Sequence, residues 1–193
     1  EYECDWVTTE GKIYNLQDEV HLKDLEDIDE KDHRFDFIAG LDIGYRDETA
    51  FVVLATDGER YYTLDEYISK EGTTSVHAEN IQELIDRWGI ECIFIDSAAQ
   101  QTKADLAYDY DIYCDNALKS VNDGIAAIQV LVDNEKIFFD LENCRHTYAS
   151  LSSYRWNQRT ESQKPFHDWS SHCSDAIRYA VYTYQRTRVS VYA

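Results

Sequence analysis

Residues Phe37 to Thr56, reading FIAGLDIGYRDETAFVVLAT, constrain this chain more than any other stretch. Two short apolar runs, Phe37–Leu41 and Ala50–Ala55, flank a polar turn over Gly44–Thr49. Runs rich in Ile, Val and Phe on either side of a Gly-bearing turn predict a β-hairpin. The Asp57-Gly58 dipeptide then separates the second run from Arg60–Ile68, which reads as a third strand, so the three make an antiparallel meander. Asp42 sits at the end of the first run, between Leu41 and Ile43. An ionised carboxylate on a sheet face that otherwise wants apolar residues needs a partner. Two readings stand at this point: a ligand for a metal ion, or a turn-forming Asp that caps the residues after it.

The pattern beyond the meander is that of an α/β domain. Val76, Ile81, Leu84, Ile85 and Trp88 fall at helical spacing, which predicts a helix over 75–88, capped by Thr74 or Ser75 and ended by Gly89. Glu91–Asp96 (ECIFID) is a continuous apolar run that suits a buried central strand. It ends in Asp96 as the first strand ends in Asp42. Helices are expected over 102–109, 123–134 and 144–154, with strands over 112–117 and 137–139. Residues 154–168 form a polar loop. A last helix starts near Ser170 or Ser171 and places His172, Asp175 and Arg178 on one face.

Composition narrows the class. At 193 residues the chain suffices for one α/β domain with a sizeable core. It begins with Glu and lacks Met, as expected of an excised domain. No apolar run approaches the ~18 residues of a membrane span. The five cysteines are scattered, odd in number and free of any CxxC pair, so reduced thiols in a cytosolic protein are expected. The net charge of −20 argues against a generic nucleic-acid coat. Residues 1–36 hold 13 acids and 4 bases and read as a linker or tail outside the core, while residues 145–193 hold only 3 acids against 7 bases. A polyanion would therefore meet the C-terminal quarter, where Arg155, Arg159, Lys164 and Arg178 are the candidate contacts.

Phosphodiester hydrolysis needs an activated water and charge neutralisation at the leaving oxygen, which two divalent cations about 4 Å apart supply. Such hard ions take carboxylate ligands from converging elements. Asp42, Asp96 and Asp175 fit: two strand tips and the first turn of a late helix laid over them, at the end of the sheet where ligands gather.

The patterns LDIG…ETA at 41–50, IFIDSAA at 93–99 and SHCSDAIRYA at 171–180 resemble the nuclease domain of phage large terminases, the DNA-packaging motor proteins. Lys119 with Ser120-Val121 and Gly124-Ile125 before a helix, and Tyr154-Arg155-Trp156 after the penultimate one, are similar too. The resemblance covers about Phe37 to Tyr184. It implies an RNase H-like fold over 37–193: a mixed sheet of at least five strands with helices on both faces. It implies cleavage of double-stranded concatemeric DNA with two Mg²⁺ or Mn²⁺ ions, with Asp42, Asp96 and Asp175 as the acidic triad. His172 matches the His before the last acid; Lys119, at a strand end, reads either as a group that neutralises a scissile phosphate or biases metal occupancy, or as a surface Lys. Many members carry an acid or Asn before that His. Here it is Ser171, so a fourth ligand falls to Asp168, one turn upstream, or to Asp47. The family's N-terminal packaging ATPase would precede residue 37, with 1–36 as the junction, since no GxxxxGK[ST] loop occurs here. The implied partners are double-stranded DNA, the small terminase subunit and the portal. The implied location is the host cytoplasm and, transiently, the procapsid portal, with no membrane.

Three other classes compete. A sugar kinase or actin-like ATPase shares Asp-x-Gly in a hairpin, but needs more glycine pairs than seven Gly provide here. An RNase H or Holliday-junction resolvase would use a Glu of the first helix, Glu79 or Glu83. An acidic, non-enzymatic interaction domain is the third.

Overall fold

A computed structural model describes residues 11–44, 47–157 and 164–191. In chain order the elements are α1 (Asp18–His21), β1 (Leu22–Lys23), β2 (Asp36–Asp42), β3 (Thr49–Thr56), β4 (Tyr61–Ser69), α2 (Thr74–Trp88), β5 (Cys92–Ile95), α3 (Gln100–Tyr110), β6 (Asp115–Asn116), α4 (Val121–Asp133), β7 (Ile137–Asp140), α5 (Arg145–Ser153) and α6 (Ser171–Val191).

The meander forms as the apolar runs predict. β2 and β3 pair antiparallel with Asp42 opposite Ala50, and β4 pairs antiparallel with β3. Four more strands, each paired parallel to its neighbour, extend it into a mixed seven-stranded sheet, ordered β1-β7-β4-β3-β2-β5-β6 with short β1 and β6 at the edges. Both faces are covered, so β3 is buried at all eight positions. Alternation sorts its side chains. Ala50, Val52 and Leu54 join Ile38 in a core with α4, α5 and α6, while Phe51 and Val53 join Leu41 in a second core with α2 and α3. This two-sided burial is why the strands read as near-continuous apolar runs.

Helix α2 starts one residue earlier than expected. Thr73, not Thr74 or Ser75, is the cap, and its hydroxyl accepts from the Val76 N–H. Gly89 closes the helix at φ 59°, a left-handed position that suits glycine. The strand expected over 112–117 shrinks to two residues. Asp111 turns back at φ 57°, and the returning chain meets the short β5 only at Phe94 and Ile95.

The largest correction concerns the N-terminal region. Its described part, 11–36, packs on the core through a few residues rather than lying free of it. Ile13 and Tyr14 are buried, and the Ile13 N–H donates to the Tyr154 carbonyl at 2.9 Å. His21 is buried too, with Nε2 3.2 Å from the Val132 carbonyl oxygen. β1 lies parallel to β7, and Asp140 accepts from the Leu25 N–H. The four described cysteines are free, and burial pushes the Cys114 and Cys173 thiols up to about 12. No helix among the described residues is long and apolar enough to cross a membrane.

Helix α6 lies across β2, β3 and β5 and against α4 and α5. Its approach is closest at Gly40, where an added Cβ would overlap the Ala176 carbonyl. Gly40→Ala should therefore push α6 off the sheet and cost about 3 kcal/mol, at the upper end for overpacking. Urea denaturation measures this, and an unchanged midpoint would show that the helix can give way cheaply.

Candidate active site at the strand tips under helix α6

Asp42 is in phase with Ile38 and Gly40 on β2, so its carboxylate comes out on the α6 side. There the His172 Nδ1–H donates to Asp42 Oδ2 at 2.9 Å. That hydrogen bond raises the His172 pKa against the burial that opposes it, and the nearby Asp47 and Glu48 charges add to the rise. Asp96 follows β5, whose Ile95 pairs with Leu41, so Asp42 and Asp96 follow paired residues on neighbouring parallel strands. Asp96 Oδ1 accepts from the Ala98 N–H at 2.9 Å. Asp175 stands in the second turn of α6, not the first, next to the Ala176 that meets Gly40. Its Oδ1 accepts from Arg178 Nη2 at 2.9 Å and Nε at 3.3 Å. Burial raises the Asp175 pKa; Arg178 opposes that, and Asp42 adds to it.

The Tyr179 hydroxyl is pushed up chiefly by burial; Asp42, Asp175 and Asp96 add to the rise and Arg178 opposes it. Each carboxylate also has one oxygen held: Asp42 Oδ2, Asp96 Oδ1 and Asp175 Oδ1. Among the described residues, however, no three His, Cys, Asp or Glu side chains stand close enough to form a ready metal cage.

Two cavities flank His167, whose ring lies 5.6 Å from that of His172. One, of about 280 Å³, is lined by Asp47, Glu48, Lys70, Asp168 and His172. The other, of about 560 Å³, is lined by Ser120, Tyr154, Lys164, Phe166 and Asp175. A larger hollow of about 900 Å³ lies elsewhere, between α4 and the far half of α6, and none of the three acids lines it.

The other expected residues are placed as follows. Asp168 is engaged at the start of α6, where its Oδ1 accepts from the Ser170 N–H at 2.9 Å and from the Ser170 hydroxyl at 2.5 Å. Its Oδ2 lies 3.7 Å from Arg155, whose guanidinium stacks over Phe166. Lys164 is exposed at the rim of the Asp175 cavity. Lys119 is exposed beside Ser120 of the same cavity. Arg159 lies outside the described residues. Arg178, expected to contact DNA, is corrected: it is 4% exposed and paired with Asp175, so no duplex can reach it. Glu79 and Glu83 line a cavity with Asp86 and Tyr110, on the α2 and α3 side of the sheet, away from Asp42.

Sequence reasoning missed Glu48 and Glu66. Glu48 is buried between Lys70, 3.3 Å away, and His146 Nε2, 3.2 Å away. Glu66 accepts from the His146 and Thr147 N–H groups at the start of α5. An acid in phase with the apolar residues of a strand, Glu66 within β4 and Glu48 just before β3, was the available signal.

A mixed sheet with an antiparallel meander, parallel strands beside it, acidic strand tips and a helix laid over them defines an RNase H-like α/β domain. No protein-family model matches the chain. The large terminase subunit of Escherichia phage T5 is 39% identical over 197 residues, covering 96% of this chain and 45% of that protein. Among solved structures, the P22 large terminase nuclease domain superposes with a TM-score of 0.73 at 17% identity, over 92% of this chain and 93% of that one. The large terminase nuclease domain of bacteriophage SPP1, solved with bound Mn, gives 0.68 at 19% identity over 92% and 99%. These structural likenesses establish the fold, and the sequence relationship establishes the kinship. The chain belongs to the large terminase family and corresponds to its nuclease domain. It spans just under half the length of the T5 relative.

The Asp42–His172 pair carries a pH signature. The folded His172 pKa is raised from its ordinary 6.5, so the pair's stabilisation is complete below 6.5 and fades as pH rises through the folded value. Asp42→Asn keeps an acceptor oxygen but removes the charge, so the imidazole should fall back and the slope should flatten. An NMR titration of His172 checks this, and a value at or below 6.5 in the parent would contradict it. Asp175→Asn acts differently. It strands the buried Arg178 charge and should cost about 3 kcal/mol or more in denaturant.

Proposed function

We propose that the chain is a divalent-cation-dependent endonuclease that cuts concatemeric double-stranded viral DNA during genome packaging. The observation that carries this reading is the placing of Asp42 and Asp96 after paired residues of neighbouring strands, with Asp175 on the helix laid over them, in a chain of terminase kinship. Hard divalent ions take oxygen ligands, and each of the three acids has one oxygen outside the hydrogen bonds that hold it. The donor set therefore fits Mg²⁺ or Mn²⁺, and the SPP1 relative was solved with Mn.

Bound in pairs, such ions supply an activated water and neutralise the leaving oxygen. The protein's own residues orient that chemistry. His172 fixes Asp42 and lines a solvent-reachable cavity through which a proton can pass. Arg155, Lys164 and Lys119 rim the site and meet the phosphate backbone. Arg159, on the same loop, would do the same. Asp168 and Asp47 line the cavity beside His172, where either could hold a water-mediated ligand position.

The RNase H or resolvase reading is not favoured, because its candidate acids Glu79 and Glu83 lie across the sheet from Asp42. In the longer protein, a packaging ATPase domain would precede this one. Residues 1–36 would be the junction, and its described part, from residue 11, packs on the nuclease core at Ile13, Tyr14, His21 and Leu25. The small subunit and portal would be its partners, in the host cytoplasm and at the procapsid.

The test is nicking of supercoiled plasmid. The chain should cut in Mn²⁺ and fail in EDTA, and Asp42→Ala, Asp96→Ala and Asp175→Asn should each abolish cutting. Full activity in any of them would remove that residue from the site. His172→Ala should slow turnover without abolishing it. Mn²⁺-independent behaviour throughout would point to the acidic interaction domain instead.

A further inference from the structure

Arg178 occupies a place where a charge is expensive to keep. Its stem crosses the first turn of α4 at Gly124, where a Cβ would stand 2.6 Å from Arg178 Cγ and 2.8 Å from Cδ. Its guanidinium lies 4.7 Å from the Tyr179 ring centroid. Nε and Nη2 both donate to the same oxygen of Asp175. Nη1 is buried without a partner, and so is the Tyr14 hydroxyl. Burial dominates the raised pKa of that hydroxyl; Tyr154 and Asp175 add to the rise and Arg178 opposes it.

Stability alone does not account for this arrangement. A buried pair of this kind is often matched or bettered by apolar side chains of similar volume, and an unsatisfied buried donor adds to its cost. What the arrangement does achieve is directional. By taking Oδ1 twice, Arg178 fixes the Asp175 carboxylate and leaves Oδ2 out of the pair. The same device recurs at the other two acids, where His172 takes Asp42 Oδ2 and the Ala98 N–H takes Asp96 Oδ1. Along α6, residues 172 and 178 sit one turn to either side of Asp175, so a single helix face carries two holding groups and one held.

Resting on the metal-site reading above, we infer that Arg178 is a positioning residue that aims the free oxygen of Asp175 at the divalent cation. It takes no part in DNA binding. It acts through Asp175, and Gly124 is the gap in α4 that lets it reach.

The experiment measures Mn²⁺ affinity of the 193-residue chain by the EPR signal of free Mn²⁺, alongside plasmid nicking. Arg178→Met keeps the volume and removes the fork and charge. It should weaken Mn²⁺ binding about tenfold, the scale of losing a group that orients a metal ligand. Arg178→Lys keeps the charge without the fork and should fall between parent and Met. Nicking should follow the same order at limiting Mn²⁺, and much of the loss should be recovered at saturating Mn²⁺. DNA affinity in EDTA should be unchanged in both variants. Parent-like Mn²⁺ affinity in either folded variant overturns the inference, as does weakened DNA affinity in EDTA. Arg178→Lys, the milder change, decides the matter alone if Arg178→Met does not unfold cooperatively. A parent chain that binds no Mn²⁺ defeats the metal-site reading itself, which separates that failure from this one.

Discussion

The missing side chain at residue 40 sets the geometry of everything that matters in this domain. Because Gly40 carries no Cβ, the backbone of α6 comes down onto β2 at Ala176. Strand alternation then fixes what happens two residues further along. Asp42 must emerge on the same side as Gly40, directly beneath the start of that helix. Asp175 precedes Ala176 and is carried to the same spot. Two carboxylates far apart in the chain are thus brought within electrostatic reach of each other as a consequence of one steric permission. A bulkier residue at position 40 would lift the helix and separate them, however well each was hydrogen-bonded.

Bringing acids together raises their mutual repulsion, and the helix that causes the problem also contains it. Asp42 and burial both press the Asp175 pKa upward, with Arg178 as the counterweight. His172 does the corresponding work for Asp42. The chain carries a net charge of −20, so this balance is local and cannot come from the protein's overall field. It is supplied by two side chains one turn above and below Asp175.

Much of this architecture was legible beforehand, for identifiable reasons. The meander and α2 were plain because two-sided burial makes β3 and its neighbours continuous apolar runs, and because Gly89 marks a helix end. Asp42 and Asp96 stood out as charges closing such runs. The N-terminal segment was illegible because Ile13, Tyr14, Leu22 and Leu25 are isolated among acids, and no periodicity reveals that they are buried or packed on the core. Arg178 was misread for a related reason. An acid and a base three apart on a helix look alike whether the face is wet or dry, and α6 is buried nearly all round from Ser171 to Thr183. No polar stripe was left to show which charges face water. Glu48 and Glu66 were hidden in the opposite way. Glu66 sits in a strand and Glu48 just before one, among neighbours that drew attention as core, and their partners arrive from α5 and from Lys70.

The burial of Arg178 also changes the balance of charge open to a polyanion. The C-terminal quarter looked basic by count, but several of its bases are already committed. Arg178 is held by Asp175, Arg188 by Asp36 and Arg155 by Asp168, while Arg145 donates to the Leu141 carbonyl. Few described cations remain free to displace counterions from DNA, and the salt dependence of duplex binding scales with that number. On the proposed reading, this domain holds its substrate weakly and cuts what is delivered to it. Delivery then falls to the remainder of a longer protein, of which a chain matching 45% of its T5 relative would be one part. On that same reading, a nuclease that must not degrade the genome it helps to package would gain from that division: its acids would lie on one sheet end and the helix over it, and its grip on DNA would be left to other parts.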